Sequence, residues 1–191
     1  MEKVARWIMY IVIALALLSV VTGNKDSVNN NDLEIERKWV INESDIPYDL
    51  DKADKFDITQ TYINYAPEIR VRQITHKYGT YYTMTVKRYI NDDALTRTEY
   101  DFDITKEEYE ETVEKGIDTT IHKTRYQMDI DGTLYAFDIF HDELDGLAYM
   151  EIEFNSEDEA NKFKEPSWVI KEVTNDRGYK NQSLAKYGMP D

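Results

Sequence analysis

Hydrophobic and polar residues alternate one by one along most of the chain after Leu33, which is the period of a β-strand with two chemically different faces. Each alternating segment carries charged side chains on one face and apolar side chains on the other. The segments are residues 33–40, 68–72, 81–88, 97–104, 122–130, 135–140 and 150–154. The pattern predicts a mainly β protein built on an antiparallel sheet.

Three short segments carry helix signals instead. Thr105 and Ser156 each precede a glutamate by three residues, which is the capping-box arrangement at the start of a helix. Gly188 and Pro190 mark the end of a third segment. These signals predict helices over residues 106–115, 156–164 and 180–187. Turns are predicted at 91–93 and at 131–132, where an Asp-Gly pair separates two alternating segments.

The first 32 residues follow a different pattern. Residues 7–21 form a run of fifteen uncharged residues, and a polar, asparagine-rich stretch follows at 24–32. Such a run lies between the core of a signal peptide and a short membrane-spanning helix in length, and a buried helix is a further alternative. We therefore expect residues 1–23 to be a signal peptide or membrane anchor, 24–32 a linker and 33–188 one domain. The protein would then be anchored or exported, with a cytoplasmic location as the alternative.

Charge and composition narrow the chemistry. The chain has 191 residues with 38 acidic and 23 basic side chains, a net charge of −15, which disfavours nucleic acids as partners. It has no cysteine, so disulfides, thiolate metal sites and cysteine nucleophiles are excluded. Three scattered histidines do not make a convincing zinc site. A metal site would use carboxylates and a hard cation such as Mg²⁺ or Mn²⁺.

Side chains of like charge are paired along the polar faces of four segments. The pairs are Glu34 with Glu36, Arg70 with Arg72, Lys123 with Arg125, and Glu151 with Glu153. Side chains two residues apart on a strand lie about 7 Å apart on one face, so each pair repels. A sheet with this face in water is one interpretation. A barrel with the charged faces inward is the other, because acidic pairs would then hold a divalent cation and basic pairs a polyanion. The apolar faces would point outward and be covered by the helices.

Several short motifs follow one another in a fixed order along the domain. They are Glu34-Ile35-Glu36-Arg37-Lys38, Gln60-Thr61-Tyr62, Arg70-Val71-Arg72, Thr85-Val86-Lys87, Arg97-Thr98-Glu99, Lys123-Thr124-Arg125, Asp138-Ile139-Phe140, Glu151-Ile152-Glu153 and Tyr179-Lys180-Asn181. As an ordered set over about residues 33–188, they resemble the CYTH family, the triphosphate tunnel metalloenzymes. That family includes class IV adenylyl cyclases, thiamine triphosphatases and inorganic triphosphatases.

The resemblance implies an eight-stranded antiparallel β-barrel that forms a tunnel, with flanking helices. It also implies a triphosphate-containing small molecule as substrate and Mg²⁺ or Mn²⁺ as cofactor. The positions that match the family's metal ligands are Glu34, Glu36, Glu99, Asp138, Glu151 and Glu153. Those that match its phosphate-binding residues are Arg70, Arg72, Lys87, Lys123, Arg125 and Lys180.

The same resemblance assigns the remaining site residues. Lys38 and Tyr62 match a lysine and a tyrosine near the reacting phosphate. Glu34 or Glu36 is expected to activate the attacking water, and the position of Lys180 implies that the last helix lies across the tunnel.

Two positions depart from the family pattern. Ala136 stands where many bacterial members have a glutamate, and Asp101 stands where a glutamate is common.

The expected activity is metal-dependent hydrolysis of an inorganic or organic triphosphate. The alternatives are a class IV adenylyl cyclase and a non-catalytic polyphosphate- or nucleotide-binding module.

Overall fold

The computed structural model describes residues 33–89 and 95–190. The apolar run at 7–21, the polar linker and the turn predicted at 91–93 lie outside these residues. Within the described part of the chain, no helix is long and apolar enough to cross a membrane.

Eight antiparallel strands close into a barrel. They are β1 (Leu33–Val40), β2 (Asp54–Tyr65), β3 (Glu68–His76), β4 (Gly79–Tyr89), β5 (Thr96–Ile104), β6 (Ile121–Ile130), β7 (Thr133–Phe140) and β8 (Ala148–Glu153). Around the barrel the order is β1, β5, β4, β3, β2, β6, β7, β8, and β8 pairs again with β1. A short ninth strand, β9 (Lys171–Glu172), pairs with the end of β1. The eight-stranded barrel predicted from the sequence is thus confirmed.

The hairpin between β6 and β7 has the geometry that its sequence predicts. Asp131 and Gly132 have φ angles of 53° and 83°, and two consecutive positive φ angles are those of a type I′ turn. The Asp129 side chain accepts a hydrogen bond from the Gly132 backbone N–H at 2.9 Å. This turn aligns Arg125 with Asp138 across the two strands.

Within the described residues three helices flank the barrel, and all three were predicted. They are α1 (Lys106–Val113), α2 (Glu157–Lys162) and α3 (Asn181–Tyr187), with 3₁₀ turns at Glu43–Asp45, Leu50–Lys52, Asp142–Leu144 and Arg177–Tyr179. Thr105 caps α1 in a full capping box, and Ser156 accepts from the Glu159 backbone N–H at the start of α2. Each helix is shorter than predicted. At the end of α2, Phe163 leaves the helical conformation, and its ring packs against Trp39.

The apolar faces of the strands point outward, as expected for an inverted barrel. Trp39, Phe137 and Met150 are fully buried on the outside of the barrel, beneath Phe163 and Trp168. The expectation that the helices cover this whole surface is wrong in one region. On β5, Tyr100 and Phe102 remain 39% and 45% exposed, because α1 packs mainly on β2, β3 and β4.

The inside of the barrel has two zones. One end is apolar, because Tyr62, Ile121, Phe140 and Tyr149 form a buried cluster with Leu184 of α3. Beyond this end, the inward-facing side chains are mostly charged. The apolar end was not predicted from the alternating pattern, and it places α3 across one end of the ionic zone.

Candidate active site

A cavity of about 220 Å³ occupies the ionic zone of the barrel. Its charged lining consists of Glu34, Glu36, Lys38, Glu68, Arg70, Arg72, Lys87, Arg97, Glu99, Asp101, Lys123, Arg125, Glu151, Glu153 and Lys180. Tyr62 lines it as well. Every site residue predicted from the sequence is therefore in this lining except Asp138, which is fully buried and contacts two of its members, Lys123 and Arg125.

The register of the strands explains how pairs of like charge are accommodated. Within each pair the two side chains share a sign, but Glu34, Arg125 and Glu151 each lie directly across from a side chain of opposite sign on a neighbouring strand. Lys38 on β1 faces Glu151 on β8, and Lys87 on β4 faces Glu99 on β5. Opposite charges directly across from each other are favourable, so the closed barrel offsets the repulsion along each strand.

Four side chains of the lining and the buried Asp138 form what we call the paired cluster: Lys38, Lys123, Arg125, Asp138 and Glu151. Arg125 donates to both carboxylate oxygens of Asp138, from Nε at 2.6 Å and from Nη2 at 2.7 Å, and also contacts Glu151. Lys38 Nζ lies 2.6 Å from Glu151 Oε1, and Lys123 contacts Asp138. Both carboxylates of this cluster thus have close cationic partners.

The electrostatics of the paired cluster follow from this geometry. Burial alone would raise the pKa of Glu151, but Lys38 and Arg125 outweigh it and hold the pKa well below its usual range. Burial lowers the pKa of Lys123 to about 8, although Asp138 opposes the shift. The carboxylates of the paired cluster are therefore ionised at neutral pH.

Six other side chains form what we call the acidic cluster: Glu34, Glu36, Glu99 and Glu153 with Lys87 and Arg97. Glu34 accepts from Lys87 at 2.7 Å and lies 2.8 Å from Arg97 Nη2. Glu99 shares Lys87, at 2.9 Å. Glu36 lies across from Glu153, and its Oε1 has no hydrogen-bond partner in the described part of the protein, although Lys38 Nζ lies 3.6 Å away.

The acidic cluster has four carboxylates for two cations, and its pKa values reflect this excess. Burial, with repulsion from Glu34 and Glu36, raises the pKa of Glu153 to about 7. Burial and Glu34 raise the pKa of Glu99 to about 7 as well. An added cation would offset this repulsion.

Anion binding would depend on the cationic side chains of the lining that nearby carboxylates do not fully neutralise. Lys180 is 3% exposed and, among residues 33–89 and 95–190, has no carboxylate oxygen within 4.0 Å of its ammonium group. Burial, with repulsion from Lys38, lowers its pKa to about 8. Burial, with repulsion from Arg70, lowers the pKa of Arg72, although the ion pair with Asp101 at 3.1 Å opposes the shift. These side chains would gain from an anion in the cavity.

Three charged members of the lining were not among the predicted site residues: Arg97, Glu68 and Asp101, which lies two residues after Glu99. Arg97 lies two residues before Glu99, and Glu68 lies two residues before Arg70, so the period of two puts all three on the inner face. The same spacing rule that found their neighbours would have found them.

Whether the residues suit a metal ion can be tested on the acidic cluster. In the described ranges, no three carboxylates or histidines already stand in a metal-binding arrangement. Lys87 forms ion pairs with both Glu34 and Glu99. The donors are nevertheless carboxylate oxygens, which hard divalent cations prefer. In the described part of the protein, Glu36 Oε1 accepts no hydrogen bond and has only a long ion pair with Lys38 Nζ, at 3.6 Å. The donor chemistry of the cluster therefore suits a divalent cation, and Glu34, Glu36 and Glu153 are the residues that would hold it.

The inverted, charge-lined barrel defines the class of protein. Residues 32–186 match the CYTH domain, and the chain belongs to the CYTH family. Membership of this family implies a divalent metal ion in the site.

Relatives of the chain carry more specific names. It is 39% identical to an inorganic triphosphatase of Nitrosomonas europaea over 119 residues, which cover 62% of this chain and 74% of that protein. It is 31% identical to an inorganic triphosphatase of Acetivibrio thermocellus over 154 residues, covering 80% and 93%. The crystal structure of the inorganic triphosphatase NE1496 matches with a TM-score of 0.57 and 31% identity, covering 85% of this chain and 97% of that one. The PH1819 protein from Pyrococcus horikoshii OT3 shares the fold, with a TM-score of 0.52, 18% identity and coverage of 68% and 82%.

Proposed function

We propose that the protein is a triphosphatase that uses Mg²⁺ or Mn²⁺ to hydrolyse inorganic triphosphate inside the barrel. The observation that carries this proposal is the joint presence, in one cavity of about 220 Å³, of a carboxylate cluster with excess negative charge and of incompletely matched cations. The names of the two bacterial relatives support inorganic triphosphate as the substrate. Organic triphosphates remain the second substrate class.

Binding of the substrate would fall to the cations of the lining. The guanidinium groups of Arg70 and Arg72 can each donate two parallel hydrogen bonds to one phosphate group, which fixes its orientation. Arg125, which Asp138 and Glu151 already hold, would add its positive charge. Lys180 would add a point charge at the end of the cavity that α3 covers. Because phosphoryl transfer depends mainly on positioning and charge stabilisation, these contacts would supply much of the catalysis.

The acidic cluster would serve the attacking water. A divalent cation held by Glu34, Glu36 and Glu153 would neutralise charge on the phosphate oxygens. Glu34 or Glu36 would accept a proton from the water that attacks the terminal phosphorus. The bond from that phosphorus to its bridging oxygen breaks, and inorganic triphosphate gives orthophosphate and pyrophosphate.

A substrate panel tests this function. The full-length protein is incubated with tripolyphosphate, ATP or thiamine triphosphate and Mg²⁺ or Mn²⁺, with EDTA as the control. We expect orthophosphate release to be fastest from tripolyphosphate and to stop with EDTA. Cyclic AMP with pyrophosphate would identify an adenylyl cyclase instead, and tight binding without turnover would identify a binding module. Either result would overturn the proposal.

We also propose, on sequence grounds, that residues 1–23 direct the domain to a membrane or out of the cytoplasm. Fractionation of cells that produce the full chain, compared with a chain that starts at residue 24, tests this. Equal recovery of both in the soluble cytoplasmic fraction would contradict it.

A further inference from the structure

Gln60 and Tyr62 meet at the border between the apolar end of the barrel and the ionic zone. Both side chains point inward from β2 and line the cavity, and each is 1% exposed. Gln60 Nε2 donates a hydrogen bond of 2.8 Å to the Tyr62 hydroxyl. Because the amide donates to the hydroxyl oxygen, it limits the other hydrogen bonds that the hydroxyl can form.

The charged neighbours of the Tyr62 hydroxyl further limit the groups to which it can donate its proton. Arg70 and Lys38 are cations without acceptors, and both oppose the rise in the tyrosine pKa that burial causes. Glu68 is the acceptor among the neighbours that influence this hydroxyl in the described chain, and it favours the protonated phenol. Its carboxylate, however, also lies 3.4 Å from Arg70 Nη1.

A phenol has one proton to donate and two lone pairs that accept. Gln60 fills an acceptor position and the two cations can only donate, so none of these three groups can accept the Tyr62 proton, which is left for another acceptor such as an anionic oxygen. Glu68 is a carboxylate whose charge acts on this hydroxyl, and a phosphate group bound by Arg70 would bring its own oxygens near it. The neutral hydroxyl then acts as a hydrogen-bond donor to the substrate.

We propose that Gln60 is a positioning residue whose amide fixes the Tyr62 hydroxyl as a donor toward a phosphate oxygen in the cavity. This inference rests on the proposed triphosphatase function, since the oxygen belongs to the triphosphate. A preset donor needs no reorientation when charge develops on the oxygen, so it stabilises the transition state more than the bound substrate. Loss of Gln60 should therefore affect kcat more than KM.

Two substitutions separate positioning from packing. Gln60→Glu keeps the shape but replaces the amide donor with an acceptor, which would draw the Tyr62 proton away from the cavity. Gln60→Met removes the donor and offers no strong acceptor. We expect kcat to fall about 100-fold for Gln60→Glu and about tenfold for Gln60→Met, with KM changing less than about threefold. Gln127, another amide in the cavity lining, provides the matched control, and Gln127→Glu should leave the Tyr62 hydroxyl unaffected.

A double-mutant cycle with Tyr62→Phe decides whether Gln60 acts through Tyr62. In that background, Gln60→Glu should cost no further activity. An equal loss with and without the Tyr62 hydroxyl would overturn the positioning role, as would Gln60→Met being as damaging as Gln60→Glu.

An NMR measurement that does not depend on turnover tests this inference separately from the proposed function. The ¹³Cζ resonance of Tyr62, assigned by its loss in Tyr62→Phe, reports what the hydroxyl donates to. It should shift when tripolyphosphate binds and shift differently in Gln60→Glu, but not in Gln127→Glu. If tripolyphosphate moves this resonance while no phosphate is released, hydrolysis fails and the positioning role stands. If Gln60→Glu leaves it unmoved, the positioning role fails.

Discussion

The paired cluster and the acidic cluster use the same residue types on neighbouring strands of one barrel, yet their charge balance is opposite. The paired cluster has three cations for two carboxylates, and the pKa values of both carboxylates are lowered. The acidic cluster has four carboxylates for two cations, and two of its carboxylates have pKa values raised to about 7. We conclude that the first is a preformed scaffold, while the second holds repulsion that a cation would relieve.

The difference has a physical origin in the register. Arg125 faces Asp138 and Lys38 faces Glu151, so charges of opposite sign meet across two strand pairs. Glu36 instead faces Glu153, so carboxylates meet across the same pair of strands, β1 and β8. Like charges directly across a sheet are destabilising, and such an arrangement is typical of functional sites.

The largest expected effect comes from breaking the paired cluster. Asp138→Asn would leave Lys123 buried without its carboxylate and weaken the hold on Arg125. Because an uncompensated buried charge is costly, we expect the free energy of unfolding to fall by about 3 kcal/mol. Urea denaturation measures this. The exposed Asp145→Asn is the control and should change it by less than about 0.5 kcal/mol, and equal stability of both variants would show that the cluster is no scaffold.

The next effect concerns turnover through the acidic cluster. Glu36→Gln keeps the size of the side chain but removes a carboxylate that would hold the cation. We expect kcat for tripolyphosphate to fall by about 100-fold or more, with little loss of stability. Steady-state phosphate release checks this against Glu43→Gln, a substitution outside the barrel. Full activity of Glu36→Gln would refute the metal role of this residue.

A smaller effect should appear in the pH dependence of stability without divalent cations. Glu99 and Glu153 have folded-state pKa values of about 7, above the unfolded value of about 4.3. Between these values the folded protein binds more protons than the unfolded chain, so stability should fall as pH rises from about 5 to 7. Thermal unfolding over this range measures the slope. Mg²⁺ should flatten it, as should Glu153→Gln, and an unchanged slope in both cases would contradict the assignment.

The smallest effect is expected when a further carboxylate is added beside the paired cluster, which makes its charge balance more like that of the acidic cluster. Ala136 lies directly across from Glu151, on the inner face of β7. Ala136→Glu would add a carboxylate there, and we expect Mn²⁺ to bind a few-fold more tightly by calorimetry. Ala53→Glu, which does not line the cavity, should leave the affinity unchanged. If the two substitutions behave alike, added charge in the barrel does not govern cation binding.

Much of the site could be found from local sequence patterns. A period of two placed Arg70 with Arg72 and Glu34 with Glu36 on one face, because adjacent side chains on a strand point to opposite sides. The capping boxes were equally local, since Thr105 and Glu108 interact within one helical turn. The motif order then connected these faces to a family.

Other features depended on contacts between distant segments. The apolar end of the barrel brings Tyr62 together with Leu184, and no local pattern distinguishes Tyr62 from other inward-facing residues. The exposure of Phe102 likewise depends on where α1 packs. The hydrogen bond from Gln60 to Tyr62 was also hidden, because a Gln-x-Tyr motif shows only that both side chains share a face.

The sequence by itself determined the strands, the sign of charge along each inner face and the helix starts, since all of these arise from neighbours within four residues. Only the tertiary structure decided which charges became partners. An alternating strand has the same pattern in an open sheet and in a barrel, whereas the cross-strand register is set by closure between β1, β5 and β8. That register separates a paired cluster from an acidic one, because charges interact through space and not along the chain.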